Sequence, residues 1–134
     1  MNYSFIVIDD GELDCFIVKR IIKLAFPNAD ITTFTDASPA LENMRTKLTD
    51  DKHCALVLLD LNMPVMNGFQ FLDEFEKLPL DIKRGYMINV LSSTKNQTDI
   101  NQLAKYKSIN SFIEKPLNKE KVLVLMEEAQ SQFK

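Results

Sequence analysis

The sequence predicts an α/β domain, an open and doubly wound parallel sheet of five strands with helices on both faces. Three observations carry that prediction. The runs Phe5-Ile6-Val7-Ile8 and Ala55-Leu56-Val57-Leu58-Leu59 are short and continuously apolar, the habit of strands buried on both faces of a parallel sheet. Strand-like and helix-like segments alternate in five βα units, with no repeat, linker or low-complexity stretch. The 134 residues suit one domain with a sizeable core, and five such units favour an open sandwich over a closed barrel, which needs eight.

Each element has its own signature. Residues 4–8 read as the first strand. Leu13, Phe16, Ile17, Arg20, Ile21 and Leu24 then recur at helical spacing, an apolar stripe interrupted only by the long stem of Arg20. Pro27-Asn28 breaks that helix. Residues 30–34 (Asp-Ile-Thr-Thr-Phe) are rich in β-branched side chains and read as a second, weaker strand. Asp36 or Ser38 is placed to cap a helix carrying Ala40, Leu41, Met44 and Leu48. The polar stretch from Thr49 to His53 is a connection, with His53 on a surface loop, and leads into the third strand at 55–59. Pro64 and Asn67-Gly68 mark a structured loop, and Phe71, Leu72 and Phe75 share one face of the following helix. Residues 77–85, with Pro79 and Gly85, read as a loop. The fourth strand covers 86–91, with Asn89 in its middle and in need of hydrogen-bond partners. A polar helix over roughly 97–106 has a thin apolar stripe of Ile100, Leu103 and Ala104. Ser111 to Glu114 form a short fifth strand, and the last helix carries Val122, Leu123, Leu125, Met126 and Ala129.

Composition narrows the class of function. Apolar residues make up 46% and charged residues 26%, an ordinary globular mixture. The net charge of -3 lacks the basic footprint of a nucleic-acid binder. No apolar run approaches the ~20 residues that span a bilayer, and no basic segment followed by a hydrophobic stretch opens the chain. Cys15 and Cys54 have neither a CxxC partner nor a metal-ligand spacing and read as reduced thiols. Together these features predict a cytoplasmic protein without nucleic-acid or membrane partners. With Gly11, Gly68 and Gly85 as its only glycines, the chain has no GxGxxG or P-loop for a nucleotide.

Chemistry-bearing residues collect where the strands end. Asp9-Asp10 follow the first strand, Asp60 ends the third, Ser92-Ser93 end the fourth and Lys115-Pro116 end the fifth. The carboxyl ends of parallel strands lie along one edge, where ligands bind. Two neighbouring strands would therefore bring three carboxylates into one small space. Such a trio repels unless a cation joins it, and a hard divalent ion such as Mg2+ suits these oxygen ligands.

This ordered set resembles the receiver domain of two-component response regulators. The matching pieces are Asp9-Asp10 after strand one, Leu59-Asp60-Leu61-Asn62-Met63-Pro64, Asn67-Gly68, Leu91-Ser92-Ser93 and Phe112-x-x-Lys115-Pro116. Each piece is weak alone; all of them in order at strand ends are specific, and they cover nearly the whole chain. The resemblance implies a flavodoxin-like sheet with strand order 2-1-3-4-5. It implies that Asp60 is the nucleophile that takes a phosphoryl group as an acyl phosphate, from a sensor histidine kinase or a histidine phosphotransfer protein. Mg2+ would be held by Asp10, Asp60 and the backbone carbonyl of Asn62, with Asp9 acting through water. Phosphoryl transfer rests largely on positioning and charge stabilisation, so Lys115 would supply a fixed positive charge and Ser92 a hydroxyl to the phosphoryl oxygens. Ser92 is preferred to Ser93 because it directly follows the apolar strand.

By the same resemblance Lys115-Pro116 matches a bond that is cis in the family, and Phe112 occupies the position of the switch aromatic. Ser92 would move toward the phosphate and the aromatic would turn inward, a two-state element biased by one local charge change. The face formed by the 97–106 helix, strand five and the last helix would change with it and would dock a downstream target or, as a homodimer, a second copy of the chain. Asn62 and Thr94 correspond to variable positions that flank the site, and Gly11 stands where a third acidic residue is common. The expectation is a single receiver domain over 1–134 with no separate output domain, a phosphoacceptor with self-catalysed Mg2+-dependent phosphorylation and dephosphorylation. A receiver fragment of a longer regulator and a phosphorylation-independent interaction module are the alternatives. A phosphohydrolase of the haloacid dehalogenase type would carry Asp-x-Asp, and Asp60-Leu61-Asn62 lacks its second acid.

Overall fold

The computed structural model describes residues 2–46, 53–61, 67–93 and 96–132. The strands are β1 (Asn2–Ile8), β2 (Asp30–Phe34), β3 (His53–Leu59), β4 (Tyr86–Ser92) and β5 (Ile109–Glu114). They form one parallel sheet in the order β2-β1-β3-β4-β5, the flavodoxin-like order expected from the sequence. The helices are α1 (Glu12–Ala25), α2 (Ala37–Thr46), α3 (Gly68–Glu76), α4 (Leu80–Lys83), α5 (Gln97–Leu103) and α6 (Lys119–Gln132).

Side chains alternate across each strand, and that alternation sorts the core into two layers. Phe5, Val7, Leu56, Leu58, Met87 and Leu91 pack against α1 and α6 through Val18, Ile22, Val122 and Leu125. Ile6, Ile8, Val57, Leu59, Ile88 and Val90 pack against α2, α3 and α5 through Leu41, Met44, Phe71, Phe75 and Leu103. β1, β3 and β4 are apolar on both sides because they lie between these layers. β2 sits at the sheet edge and keeps exposed threonines. Asp36 Oδ1 accepts from Ser38 N at 3.1 Å at the start of α2, so Asp36 supplies the cap.

Several elements depart from the sequence reading. The stripe of Leu13, Phe16, Ile17 and Leu24 faces outward: these four are 69%, 57%, 44% and 67% exposed. The buried face of α1 is instead Cys15, Val18 and Ile22. α1 is apolar on two sides, and its place beside the sheet selects the narrower one. Residues 77–85 are not all loop, because the single turn α4 forms behind Pro79, whose φ already suits a helix start. His53 is the first residue of β3 and is half-buried, sharing a hydrogen bond of 3.0 Å with Ser4 Oγ. β5 begins two residues before its predicted start, and α5 ends at Leu103. Leu48 and Pro64 lie outside the described residues.

The partners of Asn89 explain why β5 starts early. Its side chain is fully buried. Nδ2 donates to the carbonyls of Val57 and Met87, both at 3.2 Å, and Oδ1 accepts from Asn110 Nδ2 and Ser111 Oγ, both at 2.9 Å. The β4–β5 register shifts at this point, from Ile88 opposite Ile109 to Asn89 opposite Ser111. Asn110 is the extra residue of that bulge. Its carbonyl oxygen Oδ1 accepts from Gln132 Nε2 in the last turn of α6.

Candidate functional site

Backbone bonds carry the sheet ladder one step past the strands and fix the site residues. Asp9 N donates to Phe34 O at 3.0 Å, Asp60 N to Ile8 O at 2.9 Å and Lys115 N to Ser92 O at 3.0 Å. Asp9 and Asp60 are buried and Asp10 is exposed. One carboxylate oxygen from each of the three lies within 4.8 Å of the others. Lys115 reaches in from the end of β5, and its Nζ stands 3.2 Å from Asp9 Oδ2, 3.9 Å from Asp14 Oδ2 and 4.0 Å from Asp60 Oδ1. Burial by itself would lower the Lys115 pKa, but the charges of Asp60, Asp9 and Asp14 outweigh it and hold the ammonium above its usual range.

Asp9 is tied at both oxygens, since Oδ1 accepts from Gly11 N at 3.0 Å while Oδ2 accepts from Lys115. The thiol of Cys15 donates to the Asp9 carbonyl at 3.2 Å from below, and burial pushes its pKa up to about 11. Gly68 closes the other wall. A Cβ there would stand 2.8 Å from Leu61 Cα and 3.1 Å from the Asp60 carbonyl oxygen, so only glycine lets the start of α3 approach Asp60 this closely. Gly68 N donates to Leu61 O at 2.8 Å. Asn67 and Gln70 form a capping box that fixes the first turn of α3.

The other predicted site residues occupy the same edge or border it. Ser92 is fully buried at the end of β4, opposite Glu114, while Ser93 is exposed. The Lys115–Pro116 peptide is cis. Phe112, opposite Val90, is 38% exposed, beside a cleft that Lys121, Val124 and Leu125 of α6 also line. Asn62 and Thr94 lie outside the described residues. Cys15 and Cys54 are free, buried thiols. The sequence reading missed Asp14, which lies in the first turn of α1 and reaches the site only through its approach to Lys115.

An all-oxygen donor set of three converging carboxylates fits a hard divalent cation. A half-buried lysine stands beside it, on the carboxyl edge of a doubly wound parallel sheet. A family model described as the response regulator receiver domain matches residues 5–127. The chain belongs to the response regulator receiver family, whose members are phosphoacceptor domains of two-component signalling and generally hold Mg2+ in an acidic pocket.

The chain is 30% identical over 117 residues to Stress response regulator protein 1 of Candida albicans, covering 87% of this chain and 39% of that protein. It is 26% identical over 116 residues to Response regulator Rcp1 of Synechocystis sp., covering 84% of this chain and 76% of that protein. It spans 30% of the length of the Lodderomyces elongisporus Stress response regulator protein 1. Among solved structures, a response regulator receiver protein from Dyadobacter fermentans superposes with a TM-score of 0.83 at 26% identity, over 98% of each chain. A two-component response regulator from Cytophaga hutchinsonii gives 0.85 at 21% identity, over 97% of this chain and 98% of that one, a likeness of fold. Among the described residues no helix is long and apolar enough to cross a membrane.

Proposed function

We propose that this receiver accepts a phosphoryl group on Asp60 from the phosphohistidine of a sensor kinase or phosphotransfer protein. The observation that carries the reading is the clustering of Asp9, Asp10 and Asp60, two of which, Asp9 and Asp60, also face the Lys115 ammonium. A carboxylate oxygen of Asp60 would attack phosphorus, forming an O–P bond as the N–P bond of the donor imidazole breaks and its electron pair stays on that nitrogen. Lys115 is close enough to Asp60 to neutralise charge on a phosphoryl oxygen. Ser92 would donate its hydroxyl to another.

Asp10 and Asp60, with Asp9 and by resemblance the Asn62 carbonyl, would hold Mg2+. Bound there, the ion would neutralise charge on the transferring group. The outward stripe of Leu13, Phe16 and Ile17 sits directly after Asp10 and supports docking of a protein donor over the site. We extend the reading to Ser92 and Phe112 as the switch and to the α5–β5–α6 face as its output, where a target or a second copy would bind. α5 supports this, since it buries only Leu103 and leaves Ile100 at the surface.

The test is incubation with acetyl phosphate and Mg2+, read by mass spectrometry. The wild type should gain one phosphoryl mass and Asp60→Asn should not. Equal labelling of the two proteins would overturn the assignment.

A further inference from the structure

We propose that Asp14 is a positioning residue of the phosphoryl-transfer site, which holds the Lys115 ammonium toward α1 and sets the charge that an incoming donor meets. The inference rests on Asp60 being the acceptor. Lys115 Nζ is nearly equidistant from Asp14 Oδ2, at 3.9 Å, and Asp60 Oδ1, at 4.0 Å. The two carboxylates therefore make rival claims on one ammonium. Asp9, the third partner, is buried and already tied to the loop through Gly11 N. Asp14 is the exposed rival, its side chain 56% exposed on the first turn of α1.

The loop keeps a place for this carboxylate. A Cβ on Gly11 would come within 3.0 Å of Asp14 Oδ2 and within 3.4 Å of its Cγ. A Cβ at position 11 would crowd the carboxylate and make it give by a few tenths of an ångström. Gly11 has no positive φ to explain it, so the space it leaves, not its backbone freedom, is what position 11 contributes.

Charge decides what Asp14 does there. Three carboxylates, Asp9, Asp14 and Asp60, face one ammonium. Asp9, Asp10 and Asp60 gather close enough for a cation to join them, and Asp14 stands outside that group. A bound cation would thus leave the Asp14 charge at the mouth. Small phosphodonors are anions, and a dianion approaching Asp60 passes this charge. A protein donor that brings a cationic group beside its phosphohistidine would not be slowed in the same way. Asp14 therefore selects against free anionic donors and in favour of such a partner. A plain surface pair or a helix-end acid would act only on stability, and weakly.

The test uses the full chain at saturating Mg2+, with Asp14→Asn and Asp14→Glu. Phosphorylation rates are measured with acetyl phosphate, a dianion, and with phosphoramidate, which carries less negative charge, at low and high salt. Asp14→Asn should speed the acetyl phosphate reaction about fivefold at low salt, the effect of one charge several Å from a dianion in a water-like medium. The gain should lie mainly in KM. It should stay below about twofold with phosphoramidate and fade at high salt as the Debye length shrinks. Asp14→Glu should restore the wild-type rate. Equal changes with both donors, no salt dependence, or a slower Asp14→Asn protein overturns the role of Asp14. A wild type that does not label, or that labels no more than Asp60→Asn, strikes the acceptor assignment and this inference with it.

Discussion

Asn89→Ala is the perturbation that best separates the fold from its chemistry. Asn89 is fully buried and makes four hydrogen bonds, two to backbone carbonyls of β3 and β4 and two from side chains of β5. A neutral hydrogen bond contributes about 1 kcal/mol net, and a buried group left unpaired costs about 1–3 kcal/mol. Asn110 and Ser111 are half-buried, so water recovers part of their loss, while the cavity left by alanine adds to it. The expected destabilisation is about 3 kcal/mol, a large share of the roughly 5–15 kcal/mol of a typical domain. With a urea m-value of about 1.5–2 kcal/mol/M, the midpoint should fall by roughly 1.5–2 M with m unchanged. Asn110→Ala removes only one of the four bonds, together with the link to Gln132, and should cost about 1 kcal/mol. The same network fixes the bulge that aligns Ser92 with Glu114 and so delivers Lys115 to the sheet edge. Amides of β5 should therefore exchange faster in Asn89→Ala than those of β1 or β3. A loss below 1 kcal/mol, or equal losses for the two variants, would refute the view that Asn89 holds β5 in register.

Two further expectations concern the cation and the thiols. Mg2+ should raise the melting temperature of the unphosphorylated protein by mass action, corresponding to about 2.7 kcal/mol at a hundredfold excess over Kd. Asp10→Asn should reduce that shift more than Asp9→Asn, because both Asp9 oxygens already have protein partners; identical shifts in all three proteins would argue against it. Burial pushes Cys15 to about 11 and Cys54 to about 12 from 9.0, so above pH 9 the unfolded chain releases thiol protons that the fold retains. Stability should then fall as pH rises from 9 toward 11, by at most ~1.4 kcal/mol per pH unit for each thiol. Urea unfolding at pH 8 and pH 10 should show a smaller fall in Cys54→Ala than in the wild type, and an equal fall would contradict the buried-thiol account.

The fold was readable because β1, β3 and β4 are buried on both faces, and such strands announce themselves as unbroken apolar runs. The helices were harder to orient. Periodicity reports that α1 has an apolar stripe, but α1 carries two, and no property of the isolated helix says which one the sheet will cover. His53 and the start of β5 escaped for a related reason. His53 looks polar in sequence and is half-buried because Ser4 of β1 meets it across the strands, while Asn110 belongs to β5 only through the Asn89 network that no local pattern reveals.

The site divides along the same line. Asp9, Asp10, Asp60, Ser92 and Lys115 were readable because each follows a strand end, and a parallel sheet carries all its carboxyl ends to one edge. Asp14 belongs to no strand end. Its position depends on the rotation of α1 about its own axis, which Cys15, Val18 and Ile22 fix by packing under Phe5 and Val7. That single rotation turns Leu13, Phe16 and Ile17 outward beside the site and swings Asp14 toward Lys115. The outward apolar stripe and the carboxylate beside Lys115 are thus two consequences of one packing choice. A substitution that rolls α1, such as enlarging Cys15, should disturb both together, whereas Asp14→Asn disturbs only the second.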